Sequence, residues 1–323
     1  MVEKLKNPEV NALTTRGRFV LEMAAGMAAD RDDVYTEAVV RLGTRGDKPG
    51  RVRLGSFSTF DGIEKVVRGE LDLAFINPAS ALSVAYKGKG NFFTAPQPVR
   101  TVAVLPSPDQ CMFAVHGETG LAHIEDIGHE KFPLKLRLRG SENHCLHNML
   151  DDICAAAGFA LADIIDWGGE VHKEGGLPWF GTSKFEALAR GEITGVFDEG
   201  VYRWANEATP AGMTALKMSE ETADKLTAMG YRRGTLRKVD YPTLPEDILT
   251  LDFSGWPAFV HENADDDLVR RICAGLEARK DIIPWEGEGP LPLERMCIDC
   301  PEAPLGAPLH PAAKRFWNER GYL

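Results

Sequence analysis

Long apolar runs are missing from this 323-residue sequence. No stretch of about eighteen consecutive apolar residues occurs, which excludes a membrane-spanning helix of the usual kind and with it direct membrane insertion. Positive charge is in deficit: 37 Lys and Arg stand against 48 Asp and Glu, a formal net charge of -11. General nucleic-acid binding needs a basic surface and is excluded on that ground. Cysteine is sparse. Cys111, Cys145, Cys154, Cys273, Cys297 and Cys300 are scattered too widely for a disulfide framework and read as reduced, mostly buried thiols. The sequence has no P-loop, no GxGxxG and no Ser-His-Asp order, so no cofactor, metal or catalytic residue is assigned. The opening MVEKLKNPEVNALTTRGRF shows neither an apolar h-region nor a small-residue cleavage site. As written, the chain therefore reads as cytoplasmic.

What is present is a phrase written twice. IEKVVRGELDLAFINPAS spans Ile63 to Ser80, and FEALARGEITGVFDEG spans Phe185 to Gly200. Ile63, Val66 and Val67 share one helix face, as do Phe185 and Leu188. Gly69 and Gly191 then fall where a helix stops, because glycine takes the left-handed conformation without strain. LDLAFI and ITGVF are short apolar runs that suit strands buried on both faces. Each copy is thus helix, glycine stop, buried strand and polar strand end.

The same alternation runs along most of the chain. GRFVLEMAAGMAAD, over 17–30, predicts an amphipathic helix, and TRGDKPG, over 44–50, a turn. RVRLGSF, PLKLRLRG, ADIIDWGG and MTALKMS predict strands. A long helix is expected over SENHCLHNMLDDICAAAG, capped by Ser141 and stopped by Gly158. The expected fold class is α/β with mainly parallel sheets. The element count and the distance between the two phrases favour two similar lobes. VRTVAVLPSPDQCMFAV and ILTLDFSGWPAFV are then crossings between them. Residues 1–106 with 254–323 form lobe one, and 107–253 lobe two.

In open α/β sheets ligands bind at the carboxyl ends of strands, beside helix starts. Four such places stand out: Ser56, Ser58 and Thr59 after RVRL; Asn77 and Ser80 after LDLAFI; Ser141 and Asn143 after KLRLR; Asp198 and Glu199 after ITGVF. If the lobes face each other, these line one cleft. Hydroxyls, amides and free backbone N–H groups suit an anion such as a carboxylate, and Arg139 adds a charge-assisted bond. Trp167, Trp179 and Phe180 are candidates for its apolar wall. Each residue also has a plainer role. Ser58, Thr59 and Ser141 suit helix caps, Arg139 a solvated sheet face, Trp167 a core position, and Asp198 and Glu199 a helix start. Two further motifs are weak. Cys297-Ile-Asp-Cys300 lacks a second CxxC, and His144 and His147 lack a third ligand. Cys145, near a helix N-terminus, is a candidate for a lowered pKa.

GELDLAFINPASALSVAYKG, VRTVAVLPSPDQCMFAVHGETGLAHIEDI, KLRLRGSENHCLHNMLDDICAAAGFALADI and APLHPAAKRFWNERGYL occur in that order from about Val52 to the end. Together they resemble the TAXI-type solute-binding proteins of TRAP transporters. The resemblance implies a type II periplasmic-binding-protein fold, with two α/β lobes, a hinge and an interlobe cleft. It implies a small organic anion, a carboxylate or amino acid, handed to a TRAP membrane permease. By position it carries over to Ser56, Ser58, Asn77, Ser80, Ser141, Asn143 and Asp198. Two departures stand beside it. GSFSTFDG replaces the family's Gly- and Thr-rich turn, and the family is exported, so a periplasmic location implies a trimmed signal. The alternatives are a cytoplasmic enzyme of decarboxylase type, motivated by His144, Cys145 and His147, and a metabolite sensor on the same fold.

Overall fold

The structure is a computed structural model and describes residues 36–42, 50–56, 58–141, 143–179 and 181–323. The helix expected over 17–30 and nearly all of the turn at 44–50 lie outside the described residues, as does Phe180. The described residues begin with β1 (Thr36–Leu42), β2 (Gly50–Ser56), α1 (Thr59–Val67), β3 (Leu73–Phe75), α2 (Ala79–Lys87) and β4 (Val99–Leu105). It continues through β5 (Met112–His116), α3 (Ile124–His129), β6 (Lys135–Leu138), α4 (Cys145–Ala157), α5 (Leu161–Asp166) and β7 (Glu170–Lys173). Next come α6 (Ser183–Ala189), β8 (Gly195–Asp198), α7 (Ala205–Ala208), β9 (Met213–Ala215), α8 (Glu220–Met229), β10 (Arg233–Leu236) and β11 (Ile248–Leu251). It closes with β12 (Trp256–His261), α9 (Asp266–Arg279), α10 (Leu293–Met296) and α11 (Pro311–Glu319).

Among the described residues two five-stranded sheets result, ordered β1-β2-β3-β12-β4 and β7-β6-β8-β5-β9, with β10-β11 as a separate ribbon. β2 is parallel to β3, and β6 is parallel to both β7 and β8. β5 and β12 run antiparallel to both their neighbours. Each is the first strand after the chain passes between sheets, so it enters its sheet from the opposite end. The sheets are therefore mixed rather than mainly parallel. The fold is α/β in two lobes, each built on one of these sheets.

The two passages between lobes are bonded to each other. Cys111 N–H donates to Leu251 O (3.0 Å), Phe253 N–H to Asp109 O (2.9 Å) and Gly255 N–H to Ser107 O (2.9 Å). Two extended segments clasped in this way form one short double-stranded connection. A single apolar cluster continues across the lobes, from Ile63, Leu82 and Val84 to Leu146, Met149 and Ile153. A second fills lobe two around Phe185, Val196 and Trp204. A third packs α9 and α11 beneath β4 and β12 around Trp317, whose indole N–H donates to Val102 O (2.8 Å).

Two further expectations change. ADIIDWGG contains α5, not a strand; Asp163 accepts the Ala160 N–H (2.7 Å) and starts a one-turn helix. The strand begins only at Glu170, after Gly168 and Gly169. The long helix starts at Cys145 rather than beside Ser141. His144 caps it, its Nδ1 accepting the Leu146 N–H (3.3 Å).

Candidate functional site

A cavity of ≈ 410 Å³ lies between the lobes. That volume suits a metabolite-sized ligand. Its walls come from the ends of strands in both sheets and from the connection. Lobe one supplies Thr59, Phe75, Ile76, Asn77, Trp256 and Glu286; the connection supplies Ser107 and Asp109. Lobe two supplies Arg139 and Glu199 from the ends of β6 and β8, His144 and Cys145 from the start of α4, and Trp179, Tyr202 and Arg203.

Charge in this cavity is tightly organised. The Arg139 guanidinium donates through Nη2 to Asp198 Oδ1 and to Glu199 Oε1, both at 2.5 Å, and through Nε to Asp198 Oδ2 at 3.4 Å. Asp198 is 1% exposed. Burial pushes its pKa up to about 6, and Arg139 limits the rise. Beside it Lys184 donates to the Leu138 carbonyl (2.9 Å), and burial lowers its pKa. Asp109 approaches from the connection. Its Oδ2 accepts the Gly200 N–H (2.9 Å) and its Oδ1 the Gln110 N–H (2.8 Å). Burial and then the neighbouring Glu199 charge push Asp109 up to about 8, against the help of those N–H donors.

Asn77 and Thr59 hold the opposite wall. The Thr59 hydroxyl donates to Asn77 O, and Asn77 Nδ2 reaches the carbonyls of Phe253 and Gly255 at 3.4 Å each. At the mouth, the Arg203 guanidinium lies 4.6 Å from the Trp179 ring centre and 5.1 Å from that of Tyr202. Across from it the Ser107 hydroxyl donates to Glu286 Oε2 (2.6 Å).

The residues singled out in the sequence are distributed unevenly. Thr59, Asn77, Arg139 and Trp179 line the cavity. Asp198 lies directly behind Arg139. Ser58 is buried and spends its hydroxyl on Asp61 Oδ2 (2.6 Å), making no side-chain cap bond. Ser56 ends β2, close by in the chain. Ser80 is buried in the first turn of α2 and faces a separate hollow with Tyr231, Arg232 and Asp299. Ser141 and Asn143 are exposed, and Asn143 Nδ2 reaches across to Asp61 Oδ2 (3.3 Å). Trp167 ends α5 and packs on Phe159, with ring centres 6.1 Å apart, away from the cavity. Sequence reasoning passed over Asp109, Arg203, Trp256 and Glu286. Asp109 falls inside a crossing segment with no local signal, and its pairing with Glu199 joins positions 90 residues apart.

Cys145 corrects an expectation. Burial drives its thiol up to about 12, the opposite of activation. His144 is pushed down to about 3 by burial and by Arg139, so it is neutral at ordinary pH. His147 Nε2–H donates to the Arg139 carbonyl (2.8 Å). Among the described residues no group of three or more His, Cys, Asp or Glu is placed to hold a metal ion, and all six cysteines are free. Cys297 Sγ lies 3.1 Å from the Leu293 carbonyl, as a helix-end thiol does.

No protein-family model and no curated protein matches the sequence. Solved structures do match, distantly. A periplasmic transporter structure is 14% identical with a TM-score of 0.33, covering 76% of this chain and 73% of its own. The substrate-binding protein of an amino-acid ABC transporter is 11% identical at 0.28, covering 67% and 69%. The BenM effector-binding domain with its effector benzoate is 11% identical at 0.30, covering 72% and 82%. Likenesses this distant do not bear on activity.

Proposed function

We propose that the chain is a solute-binding protein that holds one small organic molecule between its two lobes. The observation that carries this reading is the cavity of ≈ 410 Å³ walled from both lobes. It sits at strand ends, where open α/β sheets place ligands. Its lining pairs a few convergent polar groups with aromatic faces, the usual composition of a binding site. A ligand carboxylate would be met by Arg203 at the mouth and by Arg139, both of which line the cavity. The sequence resemblance supports a TRAP-type transporter as the setting, with a permease as partner and the periplasm as the place of work.

Catalysis is not part of this reading. A thiol at about 12 and an imidazole at about 3 are poised neither as nucleophile nor as base at neutral pH. Native mass spectrometry of the purified chain, followed by a thermal-shift screen of amino acids, amines and carboxylates, tests the proposal. One bound small molecule per chain, or a ligand-dependent rise in Tm, is the expected result. Turnover of the bound compound would refute it in favour of an enzyme.

A further inference from the structure

The charges around the cavity do not balance in favour of an anion. Two arginines, Arg139 and Arg203, stand against four carboxyls: Asp109, Asp198, Glu199 and Glu286. Arg139 is already held by two of them. Arg203 spends its face on Trp179 and its Nε–H on the Tyr202 hydroxyl (2.8 Å). Lys184 points to a backbone carbonyl. Asp109 has no ion-pair partner among the described residues. It faces Glu199 within hydrogen-bonding reach, and the Gly200 and Val201 N–H groups fix it there at 2.9 and 3.3 Å. Two carboxyls thus converge from different chain segments, one on the interlobe connection and one at the end of β8.

We propose that the ligand carries a positively charged nitrogen, seated between the carboxyls of Asp109 and Glu199. This deepens the solute-binding reading and rests on it. Phe75 and Trp256, with ring centres 5.7 Å apart, and Tyr202 offer faces for the adjoining carbon skeleton. Without ligand Asp109 holds a proton up to about pH 8, because burial and the Glu199 charge disfavour its ionised form. An ammonium entering as a cation takes that proton's place, and the proton leaves to solvent.

The groups facing the pair leave little else to titrate near neutrality. Asp198 lies behind Glu199 at the end of β8, Arg139 directly follows β6 and Lys184 is on α6. His144 and Cys145 at the start of α4, and Cys111 just before β5, are held neutral by burial. Tyr241 is pushed up to about 12 by burial and then by Asp109. Arg203 and Glu286 stand at the mouth. With Asp109 raised to about 8, nitrogen-bearing ligands should bind up to about tenfold more tightly per pH unit until about pH 8, then level off.

The test is calorimetric titration of the full chain from about pH 6 to about pH 9, in buffers of different ionisation enthalpy. The probes are n-butylamine, putrescine and γ-aminobutyrate, with butyrate and succinate as skeletons lacking nitrogen. The expected result is binding of one or more amines, affinity rising with pH, and about one proton released per ligand below pH 8. Glu199→Gln should weaken binding by about tenfold or more and flatten the pH slope. If that variant fails to fold, the wild-type slope and proton count decide. Butyrate or succinate binding while the amines do not, or affinity falling as pH rises, would overturn the nitrogen seat and leave the solute-binding reading intact. Binding of neither series, with no small molecule retained by the native chain, would take down both.

Discussion

Asp109 carries three tasks at once. Its backbone carbonyl accepts the Phe253 N–H within the connection, its carboxyl receives two N–H groups of the loop after β8, and the same carboxyl faces the cavity. The cost is electrostatic. An acid whose folded-state pKa lies above its unfolded value binds more protons when folded, so its favourable contribution is complete below the unfolded value and is lost as pH rises through the folded one. For Asp109 the window runs from 3.8 to about 8, and for Asp198 from 3.8 to about 6. Glu125 goes the other way. Burial opposes it, but Ser219 and Thr222 hold its pKa below 4.5, so its contribution is lost only in acid. The unliganded protein should therefore lose stability between about pH 5 and about pH 8, by at most about 1.4 kcal/mol per unit for each group titrating. Asp109→Asn keeps one acceptor for the Gly200 N–H and should remove the part of the decline above about pH 6. Urea midpoints of both proteins at the two ends of this range decide it. The comparison isolates Asp109, because His310, whose pKa burial lowers, titrates alike in both. Parallel pH profiles would show that Asp109 is ionised throughout.

At the scale of elements, the repeated phrase is where sequence and structure agree most closely. Gly69 and Gly191 end α1 and α6 at φ 69° and 70°, each one residue past the C-cap. A Cβ on Gly69 would meet nothing within 4 Å, and one on Gly191 only the His116 ring at 3.6 Å. Gly→Ala at either position should cost about 1 kcal/mol, the strain of a left-handed alanine and no more. Gly230 differs. It has φ 128° after α8, and a Cβ there would fall 2.8 Å from Val84 N in α2 of the other lobe. Gly230→Ala should cost about 3 kcal/mol, because backbone cannot yield as a side chain can. Urea titrations of the three variants rank them; equal losses would mean that the lobes separate freely at this contact. Gly69 and Gly191 were legible because a left-handed stop is a local demand. Gly230 was not, because its neighbour lies about 150 positions away. The same boundary separates Asn77 and Arg139, found from strand ends, from Asp109 and Glu286, which only the packing of the two lobes brings together. It also explains α5, a helix of six residues, too short to show a period; its one local signal was Asp163 three residues after Ala160.

Across the whole molecule, the two lobes meet in more than the double connection. Asp152, in α4, accepts the Asn91 N–H (2.9 Å) from lobe one and the Tyr231 hydroxyl (2.7 Å). Lys87 Nζ reaches the Thr227 carbonyl (3.3 Å), and the apolar cluster runs unbroken between Leu82 and Met149. A dry contact of this kind resists rotation, because opening it would expose apolar surface at about 25 cal/mol per Å² and break the Asn91–Asp152 bond between the lobes. Ligand entry is then a matter for the mouth, where Trp179, Tyr202, Arg203 and Glu286 are exposed, and not for wide separation of the lobes. Small-angle scattering should give a radius of gyration of about 20 Å for a compact chain of this length, and ligand should change it by less than about 1 Å. Asp152→Ala removes the acceptor from both partners and should enlarge the unliganded radius while leaving the liganded one near the wild-type value. A contraction of several ångströms in the wild type on ligand binding would contradict this, and would mean that the contact between α2, α4 and α8 breaks in every cycle.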